Sequence, residues 1–181
     1  MIEKVQCGES VFAVMNGLQE DGWNVLAVLS AKDGSGGLII PGKNIVTNSG
    51  DLYYAQRGAG DTVTTDFTAG GLRLGTSNTS VTKTDTDVTT FGTGGGIVET
   101  SGYPKTNDTD ADNSGAGTDI VTWKFSYATG EGNITGIQEG AIVNNITTPT
   151  AALSHFLFGA SFNKTSDFIL RVYVNHRFNG V

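Results

Sequence analysis

Alternation of apolar and polar positions is sharpest toward the end of the chain. In Ile120–Tyr127 (I-V-T-W-K-F-S-Y), Val121, Trp123, Phe125 and Tyr127 share one face, opposite Thr122, Lys124 and Ser126. Ser154–Phe162 sets Phe156, Phe158, Ala160 and Phe162 on one face, and Phe168–Phe178 alternates Phe168, Leu170, Val172 and Val174 with Ile169, Arg171 and Tyr173. A period of two, with one side apolar, predicts antiparallel sheet that buries one face. Earlier in the chain, Trp23–Ser30 reads as a buried strand followed by a D-G-S-G-G turn. Leu38–Ile40 is a short apolar strand that ends at Pro41-Gly42.

Two stretches carry helical signals. Glu9–Glu20 spaces Val11, Val14, Met15 and Leu18 as a helix does, with Ser10 as N-cap, although Gly17 interrupts it; the alternative is an extended arm. Asn44–Gly58 predicts a short capped helix, with Asn48 or Ser49 as cap, Tyr53 and Tyr54 packing, and Gly58 as the stop. The predicted fold is therefore mainly β, an antiparallel β-sandwich or jelly-roll-like domain with one or two short helices and an N-terminal arm. Residues 1–21 form the arm or helix, and residues 22–181 form the single domain. A Thr/Gly/Asp-rich stretch at about 76–118 is too long for an ordinary loop. It reads as an exposed excursion, or holds a small hairpin near Gly94–Val98.

Composition narrows the function classes. Among 181 residues, 26 are glycine and only 16% are charged, a turn-rich balance foreign to helical proteins. A net charge of −7 argues against a nucleic-acid backbone as partner, because that contact needs clustered Lys and Arg. Cys7 is the single cysteine, so no intrachain disulfide forms, and with only His155 and His176 it cannot complete a structural zinc site. No apolar run reaches bilayer length and no leader pattern opens the chain, which predicts a protein kept in a cytosol until it assembles.

Few residues invite chemistry. Asp108, Asp110 and Asp112 fall at positions 1, 3 and 5 of a calcium-loop spacing, with Asp119 at position 12. Position 6 is Asn113 rather than glycine and no Glu closes the loop, so a solvated acidic turn is the preferred reading over calcium. His176 continues the apolar face of the last strand and reads as a packed core histidine. His155 lies beside Ser154 with no acid at a suggestive spacing, so no triad is predicted. The G-T-G-G-G cluster at Gly92–Gly96 has neither a preceding strand nor a Lys-[Ser/Thr] pair, and is no phosphate cradle. Glu139 stands amid the apolar residues of I-T-G-I-Q-E-G-A-I-V. A partly buried carboxylate there needs a backbone donor or a cation such as Arg171 or Lys164, and Glu139 is read as a structural acid that holds strand ends together. Trp123 is the expected centre of the core. No cofactor and no catalytic residue is predicted, and the chain is not read as an enzyme.

The order of several loose motifs resembles a diffuse group of tailed-phage virion proteins. These run from a "vtNxGl" opening with a short helix (here from Asn44), through an "lxlGtg" strand (Gly71–Asn78) and a "tDt" loop (Asp85-Thr86-Asp87), to an acid-glycine strand (Gly132–Asn145) and a strand closing near "f-x-K-t-x-d". The resemblance implies a virion structural protein assembled in the host cytoplasm, either a head decoration (cement) protein or a tail, neck, baseplate or fibre component. Its implied partners are the major capsid protein or neighbouring virion proteins and copies of itself, with a trimer as first expectation, and neither nucleic acid nor membrane. In the tail reading, Trp23, Tyr53, Tyr54 and Tyr103 are the groups that would stack on a host glycan.

Overall fold

A computed structural model describes residues 24–92, 96–99, 105–106 and 120–178. The expected arm at residues 1–21 and the acidic loop with Asp108, Asp110, Asp112 and Asp119 lie outside the described residues. The described chain is mainly β, as the alternation predicts. Nine strands form one antiparallel sheet: β1 (Val25–Ala31), β2 (Gly37–Val46), β3 (Gly71–Gly75), β4 (Ile97–Glu99), β5 (Lys105–Thr106), β6 (Ile120–Tyr127), β7 (Ile137–Val143), β8 (Ala152–Phe162) and β9 (Phe168–Arg177). Their order across the sheet is β4-β3-β7-β8-β2-β1-β9-β6-β5.

Only two neighbouring pairs are short hairpins. β1 turns into β2 through the Asp33–Gly36 segment, where the Asp33 carboxylate accepts from the Ser35 amide at 2.9 Å. β7 turns into β8 through residues 144–151, where the Asn144 side-chain oxygen accepts from the amides of Thr150 and Ala151. The other neighbours meet across long stretches of sequence; β1 pairs with β9 from Val25↔Val174 to Ala31↔Phe168. β2 changes partner along its length, pairing with β1 through residues 37–42 and with β8 through residues 42–46. The sheet curls nearly to closure. At the seam, the Tyr127 hydroxyl of β6 donates toward the carbonyls of Leu72 and Gly96, at 3.3 and 3.4 Å.

The curl wraps one core. Val25, Ala27 and Leu29 of β1, Trp123, Phe125 and Tyr127 of β6, Phe156 and Phe158 of β8, and Leu170, Val172 and Val174 of β9 are buried together, on the faces that alternation assigns. Trp123 is fully buried, 6.5 Å from Phe125 in a stacked arrangement.

The one helix of the described residues, α1 (Asn48–Ala59), adds Tyr53 to this core, edge-on to Phe67 at 5.4 Å. Its ends differ from the expected ones. Thr47 is the N-cap, its hydroxyl accepting from the Gly50 amide at 3.1 Å, and Gly60 is the left-handed C-cap at φ 76°. Asn48, Ser49 and Gly58 all lie inside the helix. Thr47 prevails because its hydroxyl also donates to the Ala152 carbonyl of β8, so one side chain both caps the helix and fastens it to the sheet. Thr47→Ala is expected to cost about 1–2 kcal/mol. An unchanged denaturation midpoint would show that neither bond matters to stability.

Candidate functional site

Among the described residues, buried Arg73, Glu139 and His155 gather on the outer face of β3, β7 and β8. Because the strands pair in register, Gly75 stands opposite Glu139 and Ala141 opposite His155. Side chains at 139, 141 and 155 therefore share the face turned away from Phe156. Glu139 is fully buried there, and its Oε2 lies 2.8 Å from His155 Nε2. His155 Nδ1 lies 2.7 Å from a carboxylate oxygen of Asp85, in the segment that follows β3. Both imidazole nitrogens thus face carboxylates. Glu139 also accepts backbone amides from Ser77 (3.2 Å), Thr89 (2.9 Å) and Thr90 (2.8 Å).

Two glycines make room for this acid. A Cβ on Gly75 would lie 2.4 Å from Glu139 Oε1, and one on Gly140 would lie 2.6 Å from the Phe156 ring. The acid-glycine pair in β7 and the glycine that ends β3 are thus one steric unit: carboxylate over Gly75, aromatic ring over Gly140.

Through these contacts residues 76–92 form a strap across the sheet. Expected to begin the exposed excursion, this segment keeps many exposed residues but is fastened at several points. Arg73 of β3 bonds Asp87 at 2.8 Å and the Ile146 carbonyl, and its guanidinium lies 4.0 Å from the centre of the Phe91 ring. Val88 packs with Ala141, Val143 and Ala152 in a second small core beneath the strap.

Electrostatics favour the fully charged cluster. Burial opposes ionisation of Glu139, yet the bonds from His155 and from the Thr90, Thr89 and Ser77 amides hold its carboxyl below the ordinary range. Burial likewise opposes a charged His155, but hydrogen bonds to Glu139 and Asp85 raise it above its ordinary 6.5. Asp85 is opposed by burial too, and ends low through its bonds from Thr82 and His155. The raised histidine contributes stability fully below about pH 6.5 and loses it as pH climbs through the raised value. The lowered acids contribute fully above about pH 4.5 and lose it as pH falls through their lowered values. The strap is therefore fastened best between about pH 4.5 and 6.5. Protection of the Thr89 and Thr90 amides from hydrogen exchange, corrected for intrinsic rates, is expected to peak there; a flat profile would mean that His155 carries no charge.

The partner of buried Glu139 differs from the two expected from the sequence. His155 supplies the cation. Lys164 is buried elsewhere, its ammonium donating to the carbonyls of Ala128 (2.8 Å), Thr129 (3.3 Å) and Thr165 (3.2 Å) and to the Asn133 side chain (3.1 Å). Arg171 sits on β9, separated from β7 by β8, β2 and β1. Ser154 and His155, adjacent on β8, point to opposite faces and form no nucleophile–base pair.

A second polar site lies beside α1. Trp123 Nε1 donates to the Tyr54 hydroxyl at 2.8 Å, and that hydroxyl lies 2.6 Å from His176 Nδ1. His176 is buried as expected, and burial pushes its pKa down to about 3, so the ring is neutral. The Tyr54 hydroxyl thus links Trp123 to the His176 ring through two hydrogen bonds. Nε2 is buried and has no partner among the described residues; the same holds for the Asn44 side-chain nitrogen. Both residues line an open pocket of about 470 Å³ with Asn24, Asp51, Tyr54 and Phe178. Of the groups expected to stack on a glycan, Tyr53 is in the core, Tyr54 is at this pocket, and Trp23 and Tyr103 lie outside the described residues.

Among the described residues, no group of His, Cys, Asp and Glu is arranged to hold a metal ion. No helix among them is long and apolar enough to cross a membrane. Comparisons with protein families, curated proteins and solved structures find no match to this chain.

Proposed function

We propose that this chain is a structural protein of a tailed-phage virion, acting as a head decoration (cement) protein that binds the major capsid protein and copies of itself. The order of its motifs supports the reading. The observation that carries it is the use made of buried charge: Glu139, His155, Asp85 and Arg73 fasten a surface segment to a rigid sheet. A shell component needs a fixed outer surface, because many weak contacts add up only when each is presented without an ordering cost. We read the curled sheet as a flattened sandwich, with β2 passing between its layers at Gly42 where it changes partner. Sheet edges need covering, which favours a closed oligomer such as a trimer.

Quantitative mass spectrometry of purified virions tests this reading. Cement predicts copy numbers comparable with the major shell protein; a handful of copies would place the chain in the tail or neck, and absence from the particle would overturn the proposal. The tail or fibre reading is second, and the pocket beside α1 is the observation in its favour.

A further inference from the structure

We infer that the outer face of β2, β1, β9 and β6 is a docking surface for the chain's own N-terminal stretch, Glu9–Glu20, which packs there through Val11, Val14, Met15 and Leu18. The inference rests on the burial of that face and stands whether or not the chain is part of a virion.

β1 is buried without a break from Val25 to Leu29, although its side chains alternate between two faces. Val25, Ala27 and Leu29 belong to the main core, whereas Leu26 and Val28 point the other way and belong to neither core of the described residues. Register extends this second face across four strands. Val28 stands opposite Ile39 of β2, Leu26 opposite Tyr173 of β9, and Ile120 of β6 opposite Arg177. Leu26, Val28, Ile39, Ile120 and Tyr173 are each 7% exposed or less. On the same face the Thr122 hydroxyl donates to the Asn175 side chain at 2.9 Å, and both residues are buried. A face open to water would leave these side chains exposed, so a further segment covers it. α1 serves the opposite face, packing Tyr53 into the main core and bonding Trp123 through Tyr54.

Composition names the occupant. Outside the described residues, only the stretch 1–23 is rich in apolar side chains; Asn107–Asp119 has none larger than alanine. The chain also enters at the right place. Asn24 is held between β2 and β9, its amide donating to the Gly42 carbonyl and its carbonyl accepting from the Asn175 amide. Residues before it therefore meet the sheet in the middle of these four strands, whose inner face Trp123 and Phe125 already fill. Read as a helix, Glu9–Glu20 is about 18 Å long, enough to cross four strands that span about 14 Å. Charge agrees. On these strands the outer face carries Lys43, Lys124, Arg171 and Arg177 and no acid, whereas residues 1–23 hold Glu3, Glu9, Glu20 and Asp21 against Lys4.

The test is methyl NOE spectroscopy on the full chain. Contacts from the methyls of Val11, Val14, Met15 and Leu18 to those of Leu26, Val28, Ile39 and Ile120 are expected, and a sample mixing labelled with unlabelled copies should place them within one copy. Val14→Asp sets a charge against the apolar face and should lower the thermal midpoint by about 6 °C or more. Asn16→Asp, on the far side of the stripe, should leave the midpoint within about 2 °C. Absence of the methyl contacts in the unaltered chain would overturn the inference, whatever the variants do. Contacts found only between copies would overturn it too, making the occupant the segment of a second copy. Equal midpoints for Val14→Asp and Asn16→Asp would show that the face does not bury this stripe, and would overturn it as well.

Discussion

Glu139→Ala is expected to give one of the largest losses of stability of any single substitution in this protein, about 3–5 kcal/mol. The residue is fully buried and serves four donors: His155 and the amides of Ser77, Thr89 and Thr90. Removing it leaves the imidazole facing one carboxylate instead of two and strands amides at both ends of the strap. For a chain of this length the midpoint of thermal unfolding should fall by about 6–20 °C. Glu139→Gln keeps an acceptor oxygen for the amides and should lose less. Replacing Glu139 and His155 together by leucine removes the uncompensated charge, and should regain part of the loss but not all, because the amides stay unserved. A fall of less than about 1 kcal/mol for the alanine variant would mean that water replaces the carboxylate, and that the strap is held by Arg73 and Val88 instead.

Trp123→Ala is expected to match it by a different route. Trp123 is fully buried within the curl of the sheet, and large-to-small substitutions of this kind cost about 3–5 kcal/mol through lost burial and the cavity left behind. A second effect accompanies the cavity, since the indole N–H donates to the Tyr54 hydroxyl that also bonds His176 Nδ1. Trp123→Phe separates the two. It retains most of the packing and should lose only about 1–2 kcal/mol, while freeing the Tyr54 hydroxyl to rotate and His176 to exchange tautomers. Nitrogen shifts of the His176 ring read that exchange directly. An unchanged tautomer in Trp123→Phe would show that the indole does not set the direction of the chain of bonds.

The sheet was legible because its signal is local. Trp123, Phe125 and Tyr127 announce a buried face through alternation alone, and so do Leu170, Val172 and Val174. The curl was not legible, because pairings such as Val25↔Val174 join distant segments that no window of sequence brings together. The burial of Glu139 was legible from its apolar neighbours, but its partner was not. Reading residues 137–157 as a hairpin would have placed Glu139 and His155 on one face, so that half of the cluster lay within reach. Asp85 did not, since 70 residues separate it from His155 and only the folded strap returns it. Lys164 was misjudged for a related reason: four oxygens from surrounding turns serve its ammonium, and carbonyls in turns leave no mark in composition. At α1, Thr47 was passed over for Asn48 and Ser49 because capping preference ranks Thr below both, and the contact with β8 overrides that order.

The central claim is that buried ionisable groups here fasten a preformed surface. Native-state hydrogen exchange at Ser77, Thr89 and Thr90, measured near pH 6 in the unaltered chain and in Glu139→Gln, tests it most directly. The account predicts that these amides open in the unaltered chain only with a free energy close to that of global unfolding, and that protection falls at all three together in the variant. Fast exchange at these amides in the unaltered chain, at the rate of an ordinary exposed loop, would contradict it.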